Sequence, residues 1–402
     1  MKILQVNCVY KVGSTGKIVD SIGQALREQG YGVFTCYGIG EVYYDDYSQK
    51  VCTNLEHKVN ALLSRLIGIP FGGLFFSNKR IYKRIKSFQP DIVHVHCVNA
   101  STMNVYKLFH YLAKNKIKTV VTLHAEIFHT AGCEHAYDCV KYKDYCHHCE
   151  VYKRKVGSCF FERSKKSWSL MKNAFDAFNQ DDIIITAVSP WLAERAKQSA
   201  ILRRFRIEYV PNGVDTNIFY YRKNSGLIDR EQYKKVVLFV TAYYGHESDD
   251  LKGGRYLPTI ASMLPEYKFV IVASRISDNL GELAPNIQIW GKAKDLDELA
   301  QLYSEADVSL LLSRRETFSM VTAESLCCGT PVVGFKAGGP ESIALMEYCS
   351  FTEYGDTRLV ANNLAKLVCG GKESIASYAD SEYSKTIVAS SFLKFYNHLK
   401  CI

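Results

Sequence analysis

Short apolar runs alternate with longer stretches of helical periodicity from the first residue of the chain. Residues 1–8 form a predicted strand, and a predicted helix over 18–29 ends before Gly30, a residue type that commonly follows a helix. Further β-branched runs, each bounded by polar residues or proline, predict strands at 32–37, 91–96, 118–123 and 183–188. Alternation of short strands with helices is typical of α/β domains with parallel sheets.

A second series of strands follows a turn-rich crossing. Residues 207–215 (IEYVPNGVD) predict a strand and then a turn with Pro, Asn and Gly. The second series comprises strands at 236–240 and 268–273, near Ile287 and Val308, and at 331–334. We therefore predict three parts: a first α/β domain over 1–205 with a cysteine-rich insertion near 130–150, a second over 206–380, and a terminal helix over 381–402 that returns to the first domain.

Length and charge narrow the class of protein. A chain of 402 residues suits two α/β domains, and its net charge of +9 favours anionic partners such as nucleotide diphosphates or an anionic membrane surface. No apolar run has bilayer length, and no long apolar region follows the first strand, so a cytoplasmic protein is expected. No nucleic-acid-binding motif is present, and nucleic acid is not expected as a partner.

Two glutamates mark the most informative segment of the chain. The segment 306–333 predicts strand, loop, helix, turn and strand, with Glu316 at the mouth of the helix and Glu324 two turns further, roughly 12 Å away. The first free N–H groups of this helix, at 319–321, form a predicted anion site between the carboxylates. A ligand that contacts all three features has two polyhydroxyl ends joined by phosphates, which is the shape of a nucleotide sugar.

This pattern resembles the donor site of a known enzyme family. Glu316-x7-Glu324, with Phe318 after the first glutamate and Gly329-x-Pro331-Val-Val after the second, is similar to retaining glycosyltransferases of the E-x7-E family (glycosyltransferase family 4-like), in particular its bacterial polysaccharide or colanic-acid-type subset. The resemblance implies the GT-B fold, in which two Rossmann-like doubly wound domains face each other across a cleft. It also implies transfer of a sugar from a nucleotide-diphosphate sugar to a growing surface polysaccharide or its polyprenyl-linked precursor.

The resemblance assigns roles residue by residue. It implies catalytic roles for Lys252 on the phosphates, Glu316 on the hydroxyls of the donor sugar and His124 at the end of a strand, and it places the ribose on Glu324. The donor-binding residues implied are Gly16, Thr317, Phe318, Ser319, Met320, Val321, Glu324, Gly338 and Gly339. No cofactor or metal is expected for catalysis, because Asp295-x-Asp297 opens a predicted helix and is interpreted as its N-cap.

Two departures from the family pattern leave questions. Family members usually carry an arginine a few residues before the phosphate-binding lysine, and this chain has none there. The alternatives for this missing phosphate-binding charge are the helix dipole together with the glycine loop at 12–17, or Arg255 or Arg275. The aspartate that commonly follows the strand-end histidine is Ala125. The glycine loop itself does not match the ATPase pattern, since Lys11 and Ile18 occupy two of its defining positions.

Four cysteines are concentrated in the predicted insertion. Cys133, Cys139, Cys146 and Cys149 lie within seventeen residues and end in a C-x2-C pair. A structural zinc site fits this spacing, with free thiols or a disulfide as the alternatives. Four thiolates would leave no open coordination position, so a catalytic metal is not expected here.

The sequence allows two interpretations of one segment that is both basic and apolar, and it also allows two rival functions. Residues 61–88 combine apolar side chains with five Lys and Arg between 79 and 86, which fits either peripheral contact with an anionic inner leaflet or a buried loop followed by a solvated helix. The rival functions are a nucleotide-sugar-processing enzyme, such as an epimerase or phosphorylase, and a non-catalytic glycan- or nucleotide-binding protein. No motif encodes the nucleotide base, the sugar or the acceptor.

Overall fold

The computed structural model describes residues 1–98, 100–223, 226–230, 232–247, 250–368 and 370–401. Contacts divide the chain into two units, Met1–Gly213 with Val388–Ile402, and Val214–Ile387. Within the described part of the chain, no helix has the length and apolarity needed to cross a bilayer.

A seven-stranded parallel sheet forms the centre of the first unit, in the order β3-β2-β1-β4-β5-β6-β7. Its strands are β1 (Lys2–Asn7), β2 (Gly32–Tyr37), β3 (Ser48–Lys50), β4 (Ile92–Val95), β5 (Thr119–Leu123), β6 (Ile183–Ala187) and β7 (Arg206–Tyr209). Every residue of β4, β5 and β6 is buried. Near-continuous burial is typical of parallel strands covered by helices on both faces.

The helices of the first unit connect these strands. They are α1 (Gly13–Glu28), α2 (Asn54–Ile67), α3 (Phe76–Phe88), α4 (Val105–Lys114), α5 (Ile127–Thr130), α6 (Tyr152–Val156), α7 (Ser164–Asp176) and α8 (Pro190–Lys197). Side-chain caps explain several starts: Thr53 accepts the N–H of Glu56 at α2, and Ser189 accepts that of Leu192 at α8, where Pro190 occupies the first turn.

The second unit has a six-stranded parallel sheet in the order β10-β9-β8-β11-β12-β13. Its strands are β8 (Lys235–Tyr244), β9 (Tyr267–Ile276), β10 (Ile287–Gly291), β11 (Val308–Leu311), β12 (Val332–Phe335) and β13 (Ser350–Thr352). Its helices are α9 (Leu257–Ser262), α10 (Leu296–Glu305), α11 (Met320–Cys327), α12 (Gly339–Ile343), α13 (Thr357–Lys366) and α14 (Lys372–Tyr383). A buried core that includes Phe269 and Phe335 lies between sheet and helices.

A long last helix, α15 (Lys385–Cys401), begins in the second unit, and its residues from Val388 onward belong to the first. There the Tyr396 hydroxyl lies 2.6 Å from Nδ1 of His94 on β4, and Lys400 forms an ion pair with Asp91. These contacts attach the end of the chain to the strands of the first sheet.

The prediction of two doubly wound α/β domains is confirmed, and two details differ. The strand β7, which the predicted boundary at 205/206 assigned to the second domain, pairs with β6 in the first sheet. The segment predicted as a glycine loop at 12–17 is helical from Gly13 onward, because α1 begins there and not at Ile18. Glycines have low intrinsic helix propensity, so three of them among residues 13–23 obscured the start of the helix.

Candidate active site

Lys252 and Glu316 form an ion pair in the loops that follow β8 and β11. Nζ of Lys252 lies 2.5 Å from Oε1 of Glu316, and the two side chains are 44% and 19% exposed. In the second sheet β8 and β11 are the neighbours at which the strand order reverses. Ligands of open α/β sheets bind beside the carboxyl ends of the strands at this position.

The loop that carries Lys252 is held by its own backbone. The Asp250 carboxylate accepts the N–H groups of Lys252 and Gly254, each at 2.9 Å. Gly253 between them has φ +73°, and a Cβ there would lie 2.1 Å from the carbonyl oxygen of Leu312 at the end of β11. Only glycine fits this close approach, so the loop places Lys252 directly against the end of β11.

The backbone of Glu316 is fixed on both sides. Its N–H donates to the carbonyl of Ala337 at 3.0 Å, and its own carbonyl accepts the N–H of Gly339 at 2.9 Å. A Cβ on Gly339 would lie 2.5 Å from the carbonyl carbon of Thr317. The two loops after β11 and β12 therefore lie in direct backbone contact, which fixes the position from which the Glu316 side chain extends.

The same contacts correct one expectation about the glycine pair. The resemblance implied that Gly338 and Gly339 bind the donor, and a glycine pair can do so through its backbone N–H groups. Instead the N–H of Gly338 donates to the carboxylate of Glu341 at 2.8 Å, and that of Gly339 donates to the carbonyl of Glu316. The two amides are occupied within the protein, and the glycines serve the close approach of the loops.

Helix α11 begins at an unusual backbone position. Ser319, its N-cap, has φ +83°, which is sparsely populated for a residue with a Cβ. Its Oγ accepts the N–H of Thr322 at 3.2 Å. The first-turn amides of a helix have no partner within the helix, and they carry the positive end of its dipole. Ser319 follows Glu316 by three residues in the chain, so the positive end of α11 is next to Glu316 in sequence.

The predicted donor residues of this helix divide by exposure. Met320, Val321 and Glu324 are partly exposed, and Met320 and Glu324, at positions i and i+4, share one side of α11. Thr317, before the helix, is also partly exposed. The Phe318 ring, in contrast, is 3% exposed and makes an edge-on contact with Tyr383, so it lies in the core.

Tyr303 on α10 is a neighbour of Glu324 that the sequence did not indicate. Its hydroxyl donates to Oε2 of Glu324 across 3.5 Å, at the long limit of a hydrogen bond. Tyr303 is fully buried, and burial, together with the nearby charge of Glu324, raises its pKa. No motif surrounds Tyr303, so its place beside Glu324 depends on how α10 packs against α11.

Three arginines of the second unit are candidates for the missing phosphate-binding cation. Arg255, one predicted substitute for the missing phosphate-binding arginine, donates to the Tyr256 hydroxyl at 2.9 Å. Arg275, the other, lies on β9. Arg314 was not anticipated: its backbone N–H donates to the carbonyl of Leu251, next to Lys252, at 2.9 Å.

In the first unit, Gly16 lies inside α1 and not in a loop. A Cβ at Gly16 would lie 3.1 Å from Cγ2 of Val9 and 3.3 Å from the backbone nitrogen of Lys11. The N–H of Lys11, a residue with φ +61°, donates to the carbonyl of Gly16 at 3.2 Å. The glycine therefore allows the turn after β1 to fold back onto the first turns of the helix.

His124 follows β5 and has a buried histidine as its neighbour. Its Nε2 lies 3.2 Å from Nδ1 of His96, which follows β4. Burial lowers the pKa of His124 to about 4, so its imidazole is neutral at physiological pH. A small cavity at this point is lined by both histidines and by Thr122, Phe71 and Phe128.

Glu126, two residues further on, is the centre of a buried polar cluster that the sequence did not reveal. Its carboxylate accepts Nε–H of Arg195 at 2.6 Å and the N–H of Ala136 at 2.7 Å, and Nε2 of His129 lies 3.3 Å away. Burial alone would raise the pKa of Glu126, but the His129 hydrogen bond and the Arg195 charge lower it to about 2. A lone glutamate beside an alanine carries no signal of such a role.

The four cysteines of the insertion surround one recess. Each is a free thiol, and the recess they line also contacts Tyr142 and Tyr152. Burial, and then the proximity of the other thiols, raises the pKa of Cys133 and of Cys146 to about 12. Among the residues that the structure describes, no three His, Cys, Asp or Glu side chains converge closely enough to hold a metal ion as they stand. Four cysteine sulfurs are ligands that suit zinc, but in the structure they do not converge closely enough to coordinate one ion.

The aspartate pair at 295 and 297 has the predicted structural role. Asp295 is the N-cap of α10, and its Oδ1 accepts the N–H of Glu298 at 2.9 Å. The side chain of Asp297 pairs with Arg222 at 2.9 Å. The N-cap interpretation of Asp295 is confirmed.

Solved structures show which fold this is. The chain is similar to sucrose-phosphate synthase from Thermosynechococcus elongatus (15% identity, TM-score 0.69, 100% of this chain and 99% of that chain). It is also similar to the Anabaena protein HepE in complex with UDP-glucose (15% identity, TM-score 0.61, 99% of each chain). With the two parallel-sheet units, these similarities identify the GT-B fold.

Curated relatives match only in part. N-acetyl-α-D-glucosaminyl L-malate synthase of Bacillus anthracis is 38% identical over 91 residues, 22% of this chain and 24% of the relative. D-inositol 3-phosphate glycosyltransferase of Acidothermus cellulolyticus is 32% identical over 155 residues, 33% of this chain and 34% of the relative. The matched parts span about a quarter to a third of the length of these relatives.

Family models match both units of the chain. The model described as "Glycosyl transferases group 1" matches residues 234–369, which include Lys252, Glu316 and Glu324. The model described as "Glycosyltransferase Family 4" matches residues 15–218, about half of the chain. The chain belongs to glycosyltransferase family 4.

Proposed function

We propose that this protein transfers a sugar, with retention of anomeric configuration and without a catalytic metal, from a nucleotide-diphosphate sugar to a surface polysaccharide or its polyprenyl-linked precursor. The observation that carries the proposal is the Lys252–Glu316 ion pair beside the start of α11, with Glu324 on the partly exposed side of that helix. The cation and the helix N-terminus supply groups that can bind a diphosphate. The two carboxylates supply acceptors for the hydroxyls of the sugar and of the ribose, which flank the diphosphate in a nucleotide sugar.

Each group has a distinct role in the proposed reaction. Lys252 and the first amides of α11 bind the diphosphate and stabilise the charge that develops on it as the bond from the anomeric carbon to the phosphate oxygen breaks. Glu316 binds hydroxyls of the sugar that is transferred, and Glu324 binds hydroxyls of the ribose. The acceptor oxygen attacks the same face of the sugar and passes its proton to the leaving phosphate. Arg314, beside the lysine loop, adds a second cation for the diphosphate.

Turnover of a panel of nucleotide sugars tests the assignment. We expect purified protein to hydrolyse or transfer at least one uridine, guanosine or adenosine diphosphate sugar, and Glu316→Gln to reduce turnover at least a hundredfold. The matched control is Glu353→Gln, because Glu353 forms a 2.5 Å ion pair with Lys336 elsewhere in the same unit. Donor isomerisation without transfer would favour the epimerase alternative, and absence of donor binding would favour the non-catalytic one.

Two further measurements test the finer parts of the proposal. NMR of the first-formed product gives its anomeric configuration, and a product inverted relative to the donor would refute retention. Turnover after exhaustive treatment with EDTA is expected to equal that of untreated protein. Activity that disappears with EDTA and returns with Mg²⁺ or Mn²⁺ would refute metal independence.

An apolar patch in the first unit supports the proposed contact with an anionic membrane. We define the patch by the exposed side chains Leu62, Leu66, Ile67, Phe75, Phe76, Phe160 and Phe161. The backbone N–H of Cys159 donates to the carbonyl of Arg65 at 2.9 Å, which joins the Phe160 segment to α2. Lys79 lies over the rings of Phe75 and Phe76. Aromatic rings beside lysines suit an anionic lipid surface.

The charges of α3 divide into two groups. Arg80 and Arg84 are committed to the protein, the first to Glu56 at 2.8 Å and the second to Gln49 at 3.0 Å. Lys79, Lys83 and Lys86 are exposed and share one helical side at positions i, i+4 and i+7. The lysine stripe beside the apolar patch is therefore the part of the segment that can face lipid.

Vesicle flotation tests this contact. We expect binding to vesicles that contain phosphatidylglycerol, and its loss when Lys79, Lys83 and Lys86 are changed to Gln. The charge-matched control changes Lys292, Lys294 and Lys336, which are exposed in the second unit. Equal loss in both triple variants would show general electrostatic attraction, and unchanged flotation of the α3 variant would refute this contact.

A further inference from the structure

Two cysteines meet where the neighbouring strands β1 and β4 end. Cys8 directly follows β1, and Cys97 follows the last residue of β4 by two positions. The two strands pair in parallel in the first sheet. Both residues are free cysteines. The proposed reaction gives neither of them a role.

The backbone holds these two cysteines close together. The N–H of Cys8 donates to the carbonyl of Cys97 at 2.6 Å. With standard bond lengths, this hydrogen bond limits the separation of the two Cα atoms to about 6.5 Å. The side chain of Asn7 fixes the same junction, because its Oδ1 accepts the N–H of Cys97 at 3.0 Å. Disulfides join Cα atoms about 4.4–6.8 Å apart, so a bond between these residues needs no large movement of the backbone.

The two thiols are also in contact with each other. A hydrogen bond from the Cys97 side chain lowers the pKa of Cys8, although burial acts in the opposite direction. On the adjacent strand β2, in contrast, burial raises the pKa of Cys36 to about 12. A lowered pKa increases the share of thiolate, which is the form of cysteine that reacts with oxidants. Cys8 is therefore more reactive than its burial alone would allow.

Cys97 connects this pair to the cavity beside His124. Cys97 is partly exposed, whereas Cys8 is 5% exposed. Cys97 also lines the small cavity at this point, together with His96, Thr122 and His124. A small oxidant such as hydrogen peroxide therefore reaches the pair from the side of Cys97.

We propose that Cys8 and Cys97 form a peroxide-sensitive dithiol, a modification site that closes to a disulfide. The Cys8 thiolate attacks one oxygen of hydrogen peroxide, the O–O bond breaks, and hydroxide leaves. The Cys97 thiol then attacks the sulfenic sulfur of Cys8, the S–S bond forms as the S–O bond breaks, and water is released. The hydroxide takes up the proton that Cys8 lost on ionisation. The two thiols thus lose two electrons, and the peroxide is reduced to two waters.

The disulfide alters the strand end that carries His96. The carbonyl of Cys8 accepts the N–H of Ile39 at 2.8 Å, which anchors Cys8 to the end of β2. A covalent bond between two sulfurs is shorter than a hydrogen bond between them, so Cys97 moves towards Cys8. His96 precedes Cys97 in the chain, and its Nδ1 lies 3.2 Å from Nε2 of His124. We expect this movement to displace His124 and to slow turnover. The loss of turnover rests on the proposed function, whereas the disulfide does not.

Peptide mass spectrometry tests the disulfide directly. Protein purified with a reductant is treated with hydrogen peroxide, its remaining thiols are alkylated, and its digest is compared with that of an untreated sample. We expect a pair of peptides joined through Cys8 and Cys97, which appears only after oxidation and is separated by dithiothreitol. Recovery of both residues without a bond between them, or a bond from either to another of the 14 cysteines, would overturn the proposal.

Turnover of the best donor in the panel supplies the second readout. Peroxide should lower wild-type turnover roughly 10- to 100-fold, with recovery in dithiothreitol, because a displacement of about 1 Å at a catalytic site can cost this much. Cys8→Ser and Cys97→Ser should keep their turnover under the same treatment. The matched control is Cys159→Ser, which removes an exposed thiol of the same unit and should lose turnover as the wild type does.

The outcomes separate the disulfide from its consequence. An equal loss of turnover in all three serine variants would overturn the link between this disulfide and activity. If the joined peptides appear and the reduced protein turns over no donor, the proposed function fails while the dithiol assignment stands. The wild-type mass spectrum decides the disulfide even if neither variant of the pair folds.

Discussion

Replacement of Glu316 by glutamine should tighten the binding of a nucleoside diphosphate while it slows sugar transfer. In the free protein the Glu316 carboxylate lies 2.5 Å from the Lys252 ammonium, which the diphosphate must engage. The carboxylate thus competes with the ligand for the cation and also repels its negative charge. An unscreened pair near a protein surface would be worth about 4 kcal/mol. With Lys252 44% exposed, solvent reduces this to about 1 kcal/mol or less.

That energy converts to a measurable change in affinity. A release of about 1 kcal/mol corresponds to a roughly fivefold lower Kd for UDP, GDP or ADP, whichever binds, measured by isothermal titration calorimetry. Lys252→Gln should act in the opposite direction and weaken binding by roughly 10- to 100-fold, because a hydrogen bond to a charged group is lost. Neither change should lower the free energy of unfolding by more than about 1 kcal/mol.

The control and the refuting result follow from the same geometry. Glu353→Gln breaks an ion pair of equal length at Lys336 and should leave the Kd unchanged. The gain in Glu316→Gln should diminish as salt is raised, since it is electrostatic. A Kd for the diphosphate that rises in Glu316→Gln would show that the carboxylate contributes to binding, and would refute the competition between Glu316 and the ligand for Lys252.

Three more changes test other parts of the structure. Gly253→Ala should destabilise by about 2 kcal/mol or more in urea unfolding, because its Cβ would clash with the backbone, whereas Gly281→Ala, with φ +69° but open space around it, should cost about 1 kcal/mol. Glu126→Gln should destabilise by about 3 kcal/mol or more at pH 7. Because the folded pKa of Glu126 is about 2, below its usual 4.5, the stability it contributes is complete above pH 4.5 and lost towards pH 2, so the difference from wild type should shrink over that range. We also propose that a zinc ion draws the four thiols of the insertion together. Elemental analysis of the purified protein should then find one zinc per chain, and Cys146→Ser should lose it. Purified protein that contains no zinc, or whose four cysteines form disulfides, would refute this proposal.

Much of the second unit could be predicted because its local patterns are specific. The strand–loop–helix arrangement around Glu316 and the N-cap at Asp295 depend on residues close together in sequence, whose spacing determines their geometry. The membership of Lys252 in the same site was implied only by resemblance. It depends on the glycine at 253, which lets the backbone at 253 and at Leu312, far apart in the chain, come into contact.

What could not be predicted depends on partners distant in sequence. The amides of Gly338 and Gly339 looked available, because nothing nearby showed that Glu341 and the carbonyl of Glu316 would accept them. Helix α1 begins five residues earlier than expected, since its glycines lower the propensity of a segment that packing against the turn after β1 stabilises. The Glu126–Arg195 pair joins residues 69 apart, and no local pattern reports such a contact.

The buried Glu126 carboxylate also limits how this protein can be shortened. It accepts the backbone N–H of Ala136, inside the cysteine-bearing segment, and the guanidinium of Arg195 on α8. Excision of that segment would remove a donor from a carboxylate that has no access to water. A shortened version of the protein must therefore keep the segment, or neutralise Glu126 and Arg195 in the same step, if the backbone that follows β5 is to keep its conformation.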